Sequence, residues 1–268
     1  MPSRRHPKVR SGLVLGLTLL GLYGLLAYVA LPSAWSHYEH QRGLEGQPML
    51  THTVQGIPGD PLNVGLVGSQ EDIVRAMHIA GWHPADPITF RTSLAIIDSV
   101  ILDRPDPDAP VSPLFYKGRR EDLAFEKSVG SSADRRHHVR LWRVLERGQE
   151  GRPVWLGSAT FDRGVGLSRY TGQVTHHINP DIDAERDGLI SDLVQAGIVE
   201  ERYQVSGIEP TLSGRNCECD PYSTDGEIWV AVLVVGQRRS QLPDTLLSPA
   251  LIAAKDAVRK AVMGSLPQ

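Results

Sequence analysis

The chain has 268 residues, 41% of them hydrophobic and 22% charged, with a formal net charge of −3. That balance excludes a polybasic nucleic-acid binder, a disordered acidic tail and a collagen-like chain. Two cysteines in 268 residues cannot staple a scaffold, so a hydrophobic core must hold the fold.

From Gly12 to Leu31 no residue is charged, and Leu, Val, Ala and Gly fill most positions. At about 1.5 Å rise per residue this run makes roughly 30 Å of helix, the thickness of a bilayer's hydrocarbon core. Arg4, Arg5, Lys8 and Arg10 precede the run, and the next nearby cation is Arg42. The positive-inside rule then places the N-terminus in the cytoplasm and the chain from residue 32 onward on the periplasmic or extracellular side. A cleaved signal peptide is the competing reading, with an apolar region usually of about 7–15 residues and a small-x-small end. Here the run is longer, and Tyr28 and Pro32 stand where small residues would precede Ala30 and Ala34. An uncleaved anchor is therefore expected. Gly12 and Gly16 match the small-xxx-small pairing pattern, which makes a homodimer through the anchor one candidate assembly.

The organisation expected is a basic tail (1–11), an anchor (12–31), a linker (32–50), a domain (51–240) and a C-terminal segment (241–268). Leu62 to Val67 suits a buried strand. Ser69-Gln70-Glu71-Asp72 is a near capping box, followed by Ile73, Val74, Met77 and Ala80 at helical spacing. A second helix is expected over Ile88–Leu102, then a proline-rich loop from Arg104 to Pro113. Strands are expected at Leu114–Lys117, Leu123–Lys127, His138–Leu145, Val154–Asp162, Glu201–Gly207 and Ile228–Val235. An acid-headed helix is expected at Asp181–Ala196, and an amphipathic one at Ser248–Val262. The pattern predicts an α+β fold: one N-terminal transmembrane helix, then a single mixed domain with a largely antiparallel sheet and three to four helices.

Several blocks carry a resemblance. They are Asp60–Ser69 (DPLNVGLVGS), Gly81–Pro87 (GWHPADP), Val111–Leu114 (VSPL), Gly118–Phe125 (GRREDLAF) and Arg136–Trp142 (RHHVRLW). Asp162–Leu167 (DRGVGL), Thr175–Asp187 (THHINPDIDAERD), Asp220–Tyr222 (DPY) and Thr224–Gly226 (TDG) complete the series. Over roughly residues 50–236 the chain resembles the LssY C-terminal domain family. The resemblance implies a domain found on membrane proteins, including chains with lipid-phosphatase-like or DedA-like membrane domains. It assigns no catalytic residues.

Two groups of residues are able to carry chemistry. His176-His177 followed by Asp181, Asp183 and Glu185 has the composition of an oxygen/nitrogen metal site. Neighbours on a strand point to opposite faces, so one histidine of each pair is expected at a given ion: His138 and His176 or His177, with Asp181 or Asp183. A divalent metal held there would polarise a phosphate and activate water. Equally, Asp181 and Asp183 stand where a helix begins and where capping alone favours them.

The second group is basic: Lys117, Arg119, Arg120, Lys127, Arg135, Arg136, Arg140 and Arg143. On a strand His138, Arg140 and Trp142 share one face, suited to a phosphate or an anionic lipid head group, with Arg119, Arg120 and Arg163 as further candidates. Pairing with the acidic run Asp181 to Asp187 is the structural alternative. Cys217-Glu218-Cys219 is expected to be a structural or incidental pair, and no GxSxG elbow is present. The functional expectation is an envelope protein whose exported domain binds a phosphate-bearing or lipid-linked ligand or a membrane partner, and no nucleic acid. A metal-assisted hydrolase of a phosphoester or acyl bond is the alternative.

Overall fold

A computed structural model of the chain describes residues 7–31, 43–44, 47–85, 114–130, 132–167, 174–206, 213–236 and 240, and five residues between 253 and 261. It divides into two compact units, Met1–Glu39 and His40–Gln268. In the first, helix α1 (Pro7–Leu25) runs on through a π-helical turn, Leu26–Ala30. Ser11–Ala30 has a mean hydropathy of 2.1 and none of it is buried. It is long and apolar enough to cross a membrane, as an anchor must be.

In the second unit the strands are β1 (Leu50–His52), β2 (Pro58–Pro61), β3 (Val64–Val67), β4 (His83–Pro84), β5 (Phe115–Tyr116), β6 (Arg119–Arg120) and β7 (Leu123–Val129). They continue as β8 (Ser132–Leu145), β9 (Val154–Leu167), β10 (Val174–Ile178), β11 (Val199–Ser206), β12 (Ser213–Arg215), β13 (Pro221–Ser223) and β14 (Glu227–Leu233). The large sheet has the order β11-β14-β3-β9-β8-β7-β4, with β10 also on β9. A smaller sheet has the order β2-β1-β5-β6, and β12 pairs with β13. Apart from the parallel β3–β14 contact, the strand ladders are antiparallel. The fold is α+β.

Two helices, α2 (Gln70–Ile79) and α3 (Ile182–Gln195), cover one face of the large sheet. Ile73, Val74 and Met77 from α2 and Leu189, Ile190 and Leu193 from α3 share a core with Val64, Leu66, Val139, Leu141, Trp155 and Leu233. On the opposite face Val67, Trp142, Leu156, Val230 and Val232 pack with Leu114 and Tyr116. Strand β3 is therefore buried on both sides, which is why it reads as an unbroken apolar run. Its Gly65 is required by packing, because a Cβ there would lie 2.9 Å from Val230 Cγ2.

The capping reading of the sequence holds. Ser69 Oγ accepts the Asp72 N–H, and the Asp72 carboxylate accepts the Ser69 N–H, each at 3.2 Å. Asp181 caps α3 by accepting the Ala184 N–H at 3.0 Å. Other bounds differ. Strand β8 begins at Ser132, well before the expected His138, and β9 runs on to Leu167. Seven strands went unpredicted (β1, β2, β4, β6, β10, β12 and β13), because they are short or rich in Pro, Gly, His, Arg and Ser and show no apolar alternation. The expected helix at Ile88–Leu102, the loop Arg104–Pro113 and most of Ser248–Val262 lie outside the described residues.

Asn63 joins the layers. Fully buried, it donates from Nδ2 to Ala159 O (3.0 Å) and Ile182 O (2.8 Å), and its Oδ1 accepts the Ala159 N–H (2.9 Å). One side chain thus ties β9 to the first residue of α3. Asn63→Ala strands three buried backbone groups at about 1–3 kcal/mol each. We expect a loss of at least about 3 kcal/mol in urea unfolding, well beyond that of an exposed Asn→Ala control.

Candidate functional site

Alternation along β8 sends Val139 and Leu141 toward the helices and Arg136, His138, Arg140 and Trp142 to the other face, as the sequence predicts. That second face is covered, however, and does not meet solvent. His138 and Arg140 are buried, and Trp142 is fully enclosed, donating its Nε1–H to Arg119 O at 3.1 Å. The layer between the sheets is apolar around Trp142 and Leu156 and becomes ionic toward Arg136 and Asp162.

The ionic part is built from three directions. Asp60 on β2 faces Arg140 at 3.7 Å and accepts a hydrogen bond from Asn216 Nδ2 at 3.0 Å. Arg136 bridges Glu126 (2.9 Å) and Asp162 (3.2 Å) across three adjacent strands. Its Nη2 also lies 3.2 Å from His176 Nε2. A guanidinium only donates, so Nε2 must accept and the ring proton of His176 sits on Nδ1. Nδ1 in turn lies 3.7 Å from Asp162.

Burial raises the Asp60 carboxyl above its ordinary range, with Arg140 and Asn216 opposing. Burial likewise holds His138 well below the ordinary imidazole value, and Arg140 and Arg136 add to the effect. His138 is therefore neutral in the folded protein.

The five candidate metal ligands fall among separate partner sets. His138 and His176 belong to the cluster around Arg136. His177 points to Asp220, its Nδ1 3.0 Å from both carboxylate oxygens. Its ring lies against Gly166, where any side chain would collide with Nε2, so Gly166 serves a close approach, while a Cβ at Gly164 would meet nothing within 4 Å. Asp181 caps α3. Asp183 accepts from Thr224 Oγ1 (2.8 Å) and the Asp225 N–H (2.6 Å) and lies 3.3 Å from Arg186. Among the described residues no three His, Cys, Asp or Glu side chains gather as a metal site would require.

The basic residues mostly find acids nearby, and not in the Asp181 to Asp187 run. Arg119 pairs with Asp122, Arg120 with Glu121, Arg143 with Glu146, and Lys127 with Asp192. The run's own Arg186 takes up its acids: it forks onto Asp225 (2.8 and 3.0 Å), binds Asp187 (2.8 Å) and stacks on Trp229. Arg163, half exposed, stands 3.7 Å from Asp220. Lys117, Arg119, Arg120 and Arg143 remain exposed along one edge, joined by an Arg119–Arg143 O hydrogen bond of 2.9 Å.

Sequence reasoning missed Asp60, Asp162, Asp220, Asn216 and the His137–Glu185 pair (2.8 Å). One signal was available: Asp60 and Asp220 each precede a proline, and no helix there needs a cap. Cys217 and Cys219 form no disulfide, and burial pushes the Cys217 thiol up to about 12, away from the reactive thiolate form.

Because His138 refuses a proton that the unfolded chain accepts near 6.5, stability falls as pH drops below that value. The slope is at most about 1.4 kcal/mol per pH unit. Asp60, Asp183, Glu185 and Asp187 are raised mainly by burial and act oppositely, gaining stability as pH falls toward 4. Urea midpoints at pH 7.5 and 5.5 should drop in the wild type and drop less in His138→Gln. Equal drops in both would remove His138 as the cause.

Residues 44–228 match the family described as LssY C-terminus. No curated protein and no solved structure matches the chain. The matched segment takes in the whole ionic layer and more than half of the sequence, and the chain belongs to the LssY C-terminus family.

Proposed function

We propose that the protein is a single-anchor envelope protein whose domain, on the extracytoplasmic side, binds a phosphate-bearing or lipid-linked ligand as an accessory module. The observation that carries this reading is the edge of Lys117, Arg119, Arg120 and Arg143, all exposed: Arg119 and Arg120 lie on β6, paired with β5, and Arg119 donates to the Arg143 carbonyl on β8. Guanidinium groups in such an array suit anionic oxygens. The edge arginines have neighbouring acids (Asp122, Glu121 and Glu146), but pairs made by an exposed guanidinium are weak and an anionic ligand competes with them. The buried histidines and acids are engaged with one another inside the domain, which gives the hydrolase reading less support. Orientation rests on the cations ahead of Gly12.

Full-length protein in phosphatidylcholine nanodiscs should co-float with vesicles containing phosphatidylglycerol. Raising the salt should release it, since exposed charges are screened within about 10 Å at 0.1 M. The Arg119→Ala/Arg120→Ala variant should bind roughly five- to thirty-fold more weakly, from about 1 kcal/mol per cation near an anionic surface. Salt-independent binding, or none, would sink the reading. Alkaline phosphatase fused after Gln268 should be active if the domain is exported; an inactive fusion would reverse the orientation.

A further inference from the structure

Beside the basic edge lies an open cleft of about 460 Å³, within the range that small ligands occupy. Its walls are apolar, from Pro48, Leu50, Val54 and Phe115, and its rim carries His52 and Lys117. Among the described residues lining it there is no carboxylate. Two turns frame it. The Lys117-Gly118 turn has both residues at positive φ (52° and 77°), the geometry of a tight hairpin, and it lifts the Lys117 ammonium clear of the sheet. Lys117 donates to the neutral Gln47 amide oxygen at 2.8 Å, so that contact leaves its charge uncompensated. At the other turn Val54 is 71% exposed, an apolar side chain at a loop tip with no packing role there.

An apolar trough with a cationic rim matches one class of ligand, an amphiphile with an acyl chain and an anionic head group. Chain length restricts where such a ligand is met. Pro48 follows the end of the apolar helix by so few residues that the cleft stays within about 60 Å of the bilayer, at about 3.5 Å per residue. We propose that this cleft is a docking site for an anionic lipid of the membrane that holds the anchor: Lys117 meets the head group, and Leu50, Val54 and Phe115 meet the acyl region. The site rests on the binding reading above and gives it a specific ligand and place.

Hydrogen–deuterium exchange on full-length protein in nanodiscs tests it. In discs of phosphatidylcholine with phosphatidylglycerol, amides in 50–56 and 115–118 should exchange about five-fold more slowly than in pure phosphatidylcholine, as one lysine near an anionic surface implies. Lys117→Glu should abolish the difference. Val54→Asp, which keeps the lysine, should reduce it. Inorganic phosphate added to the neutral discs should give no protection. Protection by phosphate alone would overturn the lipid as ligand, and protection insensitive to Lys117→Glu would overturn the site. Protection confined to another surface would overturn the cleft and leave the binding reading standing, whereas no lipid-dependent protection anywhere, with no vesicle binding, would sink both.

Discussion

The large sheet is buried on both faces, yet its long strand β8 carries Arg136, His138 and Arg140 on one of them. Everything on that side of the molecule answers to this. An unpaired buried charge costs several kcal/mol, so each guanidinium needs a carboxylate held in place. Asp60 reaches Arg140 from the smaller sheet, while Asp162 and Glu126 reach Arg136 from the flanking strands. Asn216 fixes Asp60 from outside the sheets. The imidazole between the two arginines stays neutral because burial disfavours its charged form and both guanidiniums add to that. The same logic governs Arg186, which is enclosed by acids on the helix side.

These pairings limit what the interior is able to do. The interior guanidiniums and carboxylates are engaged with one another, burial keeps His138 neutral, and it raises the Asp60 carboxyl even beside Arg140. These contacts hold the two sheets together in one register. At the periphery, exposed cations are carried by a short hairpin whose turn has two residues at positive φ.

Local features of the fold were legible from sequence. The Ser69 cap, the Asp181 cap and the apolar runs of β3, β9 and β14 each follow from residues adjacent in the chain. The alternation of β8 was also legible, so the side that His138, Arg140 and Trp142 share was foreseen. Its burial was not. Whether a strand face meets solvent or a second sheet is decided by β5 together with β1 and β2, and the residues of the last two (Pro58-Gly59-Asp60-Pro61 above all) look like loop. The partner of Arg140 stands 80 positions earlier, and only register brings Asp60 over it. The candidate ligands have separate partners for a similar reason: His176 and His177 diverge to Arg136 and Asp220, and Asp183 turns to the Thr224 hydroxyl and the Asp225 N–H.

The parallel contact of β3 with β14 has a consequence for timing. Strand β3 lies near the start of the domain, and its neighbour begins only at Glu227. Contacts this far apart along the chain form slowly, because loop closure must precede them. The apolar helix at Ser11–Ala30, in contrast, is complete as soon as it leaves the ribosome. The helix is thus formed before the sheet has its middle. Until β14 is in place, the apolar Val64–Val67 segment has an open edge. That interval is when the domain is most exposed to misassembly.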